Sequence, residues 1–186
     1  MDLYTMANPL TIVLFQLLVT WLFGKVKPIR SIGVGIVIIT LAMAVNIVPL
    51  LAGFELRDPV WDLLPVGSLA IVATVTLIAF GELFASARMY EYIGSLAPRG
   101  QEGLFLGYAS LPTAIGALLG GPVGAVLFNE VMCDGAVERP DGLLELDPIA
   151  NVTGWTLLMG IGLLTLVGMG LYNRWLEGQK EEPVSP

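Results

Sequence analysis

Apolar residues along this chain come in long blocks rather than in alternation with charges. From Leu3 to Gly24 there are 22 residues without a charged side chain, and from Ser31 to Phe54 a further 24. Uncharged stretches of 19, 27 and 26 residues follow at Leu63–Gly81, Gly103–Asn129 and Pro148–Asn173. A helix needs about 20 apolar residues to cross a hydrocarbon layer of about 30 Å, and every block is near that length. The pattern predicts an all-α polytopic membrane protein with five transmembrane helices.

Proline and glycine set the expected ends. Asn8-Pro9 is a good helix opening, because Asn caps and Pro at the first helical position loses no needed hydrogen bond. The predicted spans are Asn8–Phe23, Pro28–Leu51, Pro65–Leu96, Gly103–Phe128 and Ile149–Leu176, which make residues 1–176 one bundle. The third would be about 48 Å long at 1.5 Å per residue, so it is expected to tilt, kink or emerge from the bilayer. Glu177–Pro186, rich in Glu, Lys, Pro and Ser, reads as a disordered tail.

Composition agrees with the pattern. The 186 residues are 55% hydrophobic and 13% charged, against about 25% charged in a soluble domain. The basic residues supply a direction. Lys25, Lys27, Arg30, Arg88, Arg99, Arg174 and Lys180 fall on one side of alternating spans, and Arg57 and Arg139 on the other. The positive-inside rule then predicts an N-terminus outside and a C-terminus in the cytoplasm of a plasma or inner membrane. The outer loop Glu130–Asp147 holds six carboxylates against Arg139; it is expected to be a solvated loop rather than a cation vestibule. No signal peptide is expected, since Met1-Asp2-Leu3-Tyr4 lacks a basic n-region.

Several chemistries are excluded. With no histidine there is no Ser-His-Asp triad, imidazole relay or His-based zinc site. Cys133 is the single cysteine, so neither an internal disulfide nor a thiolate cluster can form. A formal charge of −7 argues against nucleic acid as a partner. No metal, cofactor or enzyme chemistry is expected.

One residue is expensive where it stands. Glu82 lies near the middle of the third span, where a carboxylate costs roughly 2.5–3.5 kcal/mol on insertion scales and must face protein or a water-filled cavity. Desolvation favours the protonated form of such a group, which suits binding and release of a proton or pairing with a substrate ammonium. The plainer alternative is a structural pair with Arg88. Ser86 shares the Glu82 face, Tyr90 follows one turn later, and Arg88 and Glu91 are spaced to pair. Gln16 and Asn46 are further polar residues within spans, able to line a cavity or bond a neighbouring helix. Gly116, Gly120 and Gly124 repeat every four residues in the fourth span, the spacing that lets helix backbones approach. Packing within one fold is expected there, with a homodimer face as the alternative. Pro112 and Pro122 add bends of the kind that gating helices use.

Gly81-Glu82-Leu83-Phe84-Ala85-Ser86, the stretch to Ala97-Pro98, and Glu102-Gly103-Leu104-Phe105-Leu106-Gly107-Tyr108 resemble the tenth and eleventh helices of the major facilitator superfamily. The proton-coupled oligopeptide transporters are the nearest in flavour. Asn8-Pro9-Leu10 resembles the eighth helix, and Lys25-Val26-Lys27-Pro28 the basic turn into the ninth. The resemblance covers about residues 8–176. It implies the C-terminal part of a transporter, helices eight to twelve, with Glu82 near the substrate's amino terminus and Ser86, Asn8 and Gln16 as substrate- or proton-binding candidates. Ala87 and Leu17 stand where the family has proline, and Arg88 and Glu91 have no family counterpart.

The expected function is therefore part of a secondary active transporter, proton-coupled, for a small and peptide-like solute. Its partners would be the lipid bilayer, the solute, protons, and a missing N-terminal half or a second copy of the chain. The alternatives are a homo-oligomeric antiporter of the small multidrug type and a non-transporting assembly subunit. Orientation is directly testable. A membrane-impermeant thiol reagent applied outside should modify Cys133 and leave a Ser185→Cys variant on a Cys133→Ser background untouched. Labelling of the second protein from outside overturns the assignment.

Overall fold

The computed structural model describes residues 6–54, 59–60, 64–140 and 142–180. These fold into α1 (Ala7–Phe23), α2 (Pro28–Ala44), the single turn α3 (Val48–Leu51), α4 (Val66–Ser95), α5 (Glu102–Tyr108), α6 (Ser110–Val126), a π-helix (Leu127–Met132) and α7 (Pro148–Lys180). Two short antiparallel hairpins, β1 (Pro59–Val60) with β2 (Leu64–Pro65) and β3 (Val137–Glu138) with β4 (Leu144–Glu145), join helices on the predicted outer side.

Most helix ends have a cause in the sequence. Pro28 opens α2 at a position whose N–H would be unpaired anyway. Pro49 has no N–H for the carbonyl of Val45, and α2 stops at Ala44 rather than running on to Leu51 as its apolar sequence suggests. The chain turns and resumes for one turn as α3. Pro112 likewise leaves the Tyr108 carbonyl without its helical donor, and the regular helix breaks at Ala109 between α5 and α6. Asp147 caps α7: its Oδ2 accepts from the N–H of Ile149 at 2.9 Å and of Ala150 at 3.0 Å. The chain after Ser95 turns through Ala97-Pro98, with Gly100 at a φ of 84° that side chains resist.

Three helical stretches are long and apolar enough to cross a membrane: Val66–Ser95, Glu102–Met132 and Pro148–Leu176. The two N-terminal helices, α1 and α2, have 17 residues each, about 26 Å of helix against a core of about 30 Å. α1 also crosses α4 obliquely. From Asn8 to Phe23, roughly 22 Å of helix, its bonded partners on α4 move only from Glu82 to Arg88.

The core mixes small residues with a few large ones, Val19, Ile47, Phe84 and Met132. Ala42, Ala79 and Ala109 are fully buried and Ser31 nearly so, whereas Leu17, Trp21, Leu118 and Leu164 are exposed. α2 and α4 meet where both lack side chains. A Cβ on Gly35 would lie 2.6 Å from the Gly81 carbonyl oxygen, and one on Gly81 would lie 2.8 Å from that of Gly35. Hydroxyls and amides finish the contact: Ser31 Oγ donates to the Phe84 carbonyl at 3.1 Å, and Asn46 Nδ2 to Thr74 Oγ1 at 2.8 Å. α7 docks on the other side of α2, where Gly162 faces Thr40 and Gly33 faces Met169. Gly154 of α7 receives Met132 of the π-helix.

Two expectations change. Gly116, Gly120 and Gly124 face nothing: a Cβ at any of them meets no atom of this chain within 4 Å, and all of α6 is exposed. Packing within the chain is carried by Gly35, Gly81, Gly154 and Gly162 instead. The expected disordered tail is helical as far as Lys180, since α7 continues past Trp175; residues 181–186 lie outside the described residues, as does Arg57. In the loop Glu130–Asp147, expected to be solvated, Asp134, Glu138 and Glu145 are exposed, and the described residues carry the β3–β4 pair, the Arg139–Glu145 ion pair at 3.5 Å and the Asp147 cap.

Glycine position therefore separates two outcomes. Gly81→Leu should drive its side chain into the Gly35 backbone and lower the melting temperature of the purified chain strongly, overpacking of this kind costing at least about 1–3 kcal/mol. Gly120→Leu should leave it unchanged. Thermal unfolding of both variants in one detergent checks the pair.

Candidate functional site

The facing sides of α1 and α4 form an open cleft of about 160 Å³, lined by Ile12, Gln16 and Thr20 from α1 and Glu82, Leu83 and Ser86 from α4. The helical repeat explains the set. Ile12, Gln16 and Thr20 are four residues apart, as are Glu82 and Ser86, so each group shares one helix face. Glu82 is half-buried, while Gln16, Thr20 and Ser86 are exposed along the rim. A site for a small molecule usually encloses about 300–1,000 Å³, and this cleft falls short of that range.

Glu82 has a neutral partner. Asn8 Nδ2 donates to its Oε2 at 3.5 Å, at the long limit for a hydrogen bond. Among the described residues, no Lys or Arg pairs with Glu82. Arg88 is engaged elsewhere: Nη1 donates to Oε2 of Glu91, and Nη2 to the carbonyl oxygen of Phe23 at the end of α1. The Glu82–Arg88 pair considered from sequence is thus absent, and the Arg88–Glu91 pair is present. The carboxylate of Glu82 keeps acceptor capacity facing the cleft, with the hydroxyl of Ser86 and the amide of Gln16 among the lining groups.

The candidate residues divide cleanly. Glu82, Ser86, Asn8 and Gln16 come together, Asn8 by its bond to Glu82 and the others as lining. Asn46 does not; it is buried against Thr74 on α4. Tyr90 is exposed and is not a lining residue. Pro112, Pro122 and the three α6 glycines lie on α5–α6, away from the cleft. Thr20 was missed from sequence, although its position one helical turn from Gln16 signals it. Its hydroxyl donates to the Gln16 carbonyl at 2.8 Å and offers the cleft only an acceptor. Phe15, Phe80, Phe84 and Phe23 back the site with a chain of ring contacts, centroids 4.7–5.5 Å apart. No protein-family model matches the chain, and no curated protein matches it.

Proposed function

We propose that the chain forms one wall of a proton-coupled secondary active transporter for a small solute. Amine-bearing, peptide-like molecules are the first class to try. The observation that carries this reading is Glu82: a carboxylate midway along an apolar helix, facing a small cleft that Gln16 and Ser86 also line, with an amide for a partner and, among the described residues, no cation. Such a residue costs stability in a membrane and is retained where it does chemistry. Deprotonated, it attracts an ammonium group or a proton. Protonated, it turns from acceptor to donor and releases the cation, while Asn8, Gln16 and Ser86 can hold the solute's neutral groups. The incomplete cleft supports a second wall contributed by further helices. In alternating access the two walls rock about a midplane site between them. The resemblance of Gly81–Ser86 and Glu102–Tyr108 to the major facilitator superfamily supports the same arrangement, with five spans and the N-terminus outside.

A homo-oligomeric antiporter of the small multidrug type is the second reading. It is favoured by the uncovered glycine face of α6, which would suit a second copy.

The test is Glu82→Gln, which keeps size and hydrogen bonding to Asn8 while removing the charge. In proteoliposomes holding the complete transporter, proton-driven uptake should fall by at least about tenfold, the loss of roughly 1.4 kcal/mol of coupling, with the melting temperature nearly unchanged. Undiminished uptake removes Glu82 from the site. Uptake by this chain alone supports the homo-oligomer, and uptake only with an added N-terminal half supports the split transporter.

A further inference from the structure

α1 supplies half of the residues lining the cleft, so whatever holds α1 against α4 determines the shape of the cleft. The attachments are unequal along its length. At the outer end Asn8 reaches Glu82 at 3.5 Å. In the middle the Phe15 and Phe80 rings meet edge to face at 5.4 Å. At the inner end two contacts coincide on one residue: the Phe23 ring packs on Phe84 at 4.7 Å, and the Phe23 carbonyl accepts from Arg88 Nη2.

Arg88 is unusually placed for a surface pair. Its side chain is 11% exposed, against 52% for Glu91. An exposed Arg–Glu pair three residues apart adds little by itself, but here the carboxylate orients a largely buried guanidinium whose second nitrogen reaches another helix. Phe23 is the last residue of α1, at the negative end of the helix dipole, and its carbonyl accepts from the Val26 N–H at 3.0 Å as well as from Arg88. The planar fork of arginine can serve both acceptors at once, which a lysine ammonium on a single nitrogen matches poorly. Phe23 and Arg88 also lie within one helical turn beyond Thr20 and Ser86, the last residues lining the cleft.

We propose that Arg88 is a positioning residue that latches the inner end of α1 to α4, closing the inner mouth of the Glu82 cleft, and that its release from the Phe23 carbonyl opens that mouth. The latch rests on the transport reading only for what passes through the cleft. Its geometry stands without it.

The test uses the full chain in lipid nanodiscs, without substrate, on a Cys133→Ser background. One spin-label pair at Trp21→Cys and Tyr90→Cys reports on α1 against α4. A second pair at Val37→Cys and Ile71→Cys reports on α2 against α4; all four positions are exposed. Arg88→Gln should raise the population of longer α1–α4 distances about tenfold, the scale of one charge-assisted hydrogen bond, and leave the α2–α4 pair unchanged. Arg88→Lys should restore part of the short-distance population, and Glu91→Gln should fall between. An unaltered α1–α4 distribution in Arg88→Gln overturns the latch. Should Arg88→Gln disturb both pairs, Glu91→Gln decides, because it leaves the arginine in place. Lengthening confined to α1–α4 supports the latch, and any other result overturns it. Because no solute is present, failure of the Glu82 transport test leaves this measurement standing.

Discussion

The contact between the Gly35 and Gly81 backbones is the constraint on which the bundle depends. In lipid, burial of one apolar side chain against another gains little, because the tails are as apolar as leucine. Helices must then hold one another by close dispersion contact and by hydrogen bonds that lipid cannot supply. Two glycines at the crossing let α2 and α4 approach until Ser31 reaches the Phe84 carbonyl and Asn46 reaches Thr74. α1 hangs on the α4 side of this pair and α7 on the α2 side. A shift of the α2–α4 crossing would therefore carry the whole cleft with it.

Glu82 follows Gly81 directly, and the adjacency links packing to chemistry. The glycine pins the α4 backbone against α2, so the next side chain projects from a fixed point toward α1. Its neighbours Leu83 and Phe84 divide between the cleft and the aromatic chain. The carboxylate is thus presented by a tightly packed part of the bundle to a helix that packs mainly on α4.

Positions of the long helices were legible because charge and proline mark them: α4 was expected at Pro65–Leu96 and is Val66–Ser95, and α7 begins one residue before the expected Ile149. The cost of a mid-span carboxylate likewise identified Glu82, and the helical repeat brought Ser86 with it. What stayed hidden depends on partners far away in sequence. Gly116, Gly120 and Gly124 make a regular face and drew attention, yet a Cβ there meets nothing; Gly35 and Gly81 pair with each other across two helices, each in a shorter small-residue spacing, Ser31 with Gly35 and Gly81 with Ala85. The hold of Arg88 on a backbone carbonyl was also invisible, since every residue offers one. The β3–β4 hairpin depends on Gly142 at a φ of 75°, a local signal submerged in a run of acidic residues.

Helix crossings made of glycine, alanine, serine and threonine have an evolutionary corollary. In a water-soluble protein the interior holds the large residues, and sequence drift there trades one bulky side chain for another. At the Gly35–Gly81 and Gly162–Thr40 crossings the residues are already near the smallest volumes available, so drift can proceed in one direction only, and that direction collides. The outward faces, carrying leucine, valine and isoleucine, can exchange among themselves at little cost to the fold. Descendants of this sequence should vary most where it is most hydrophobic and least where it is smallest, the reverse of the pattern by which soluble cores are usually recognised.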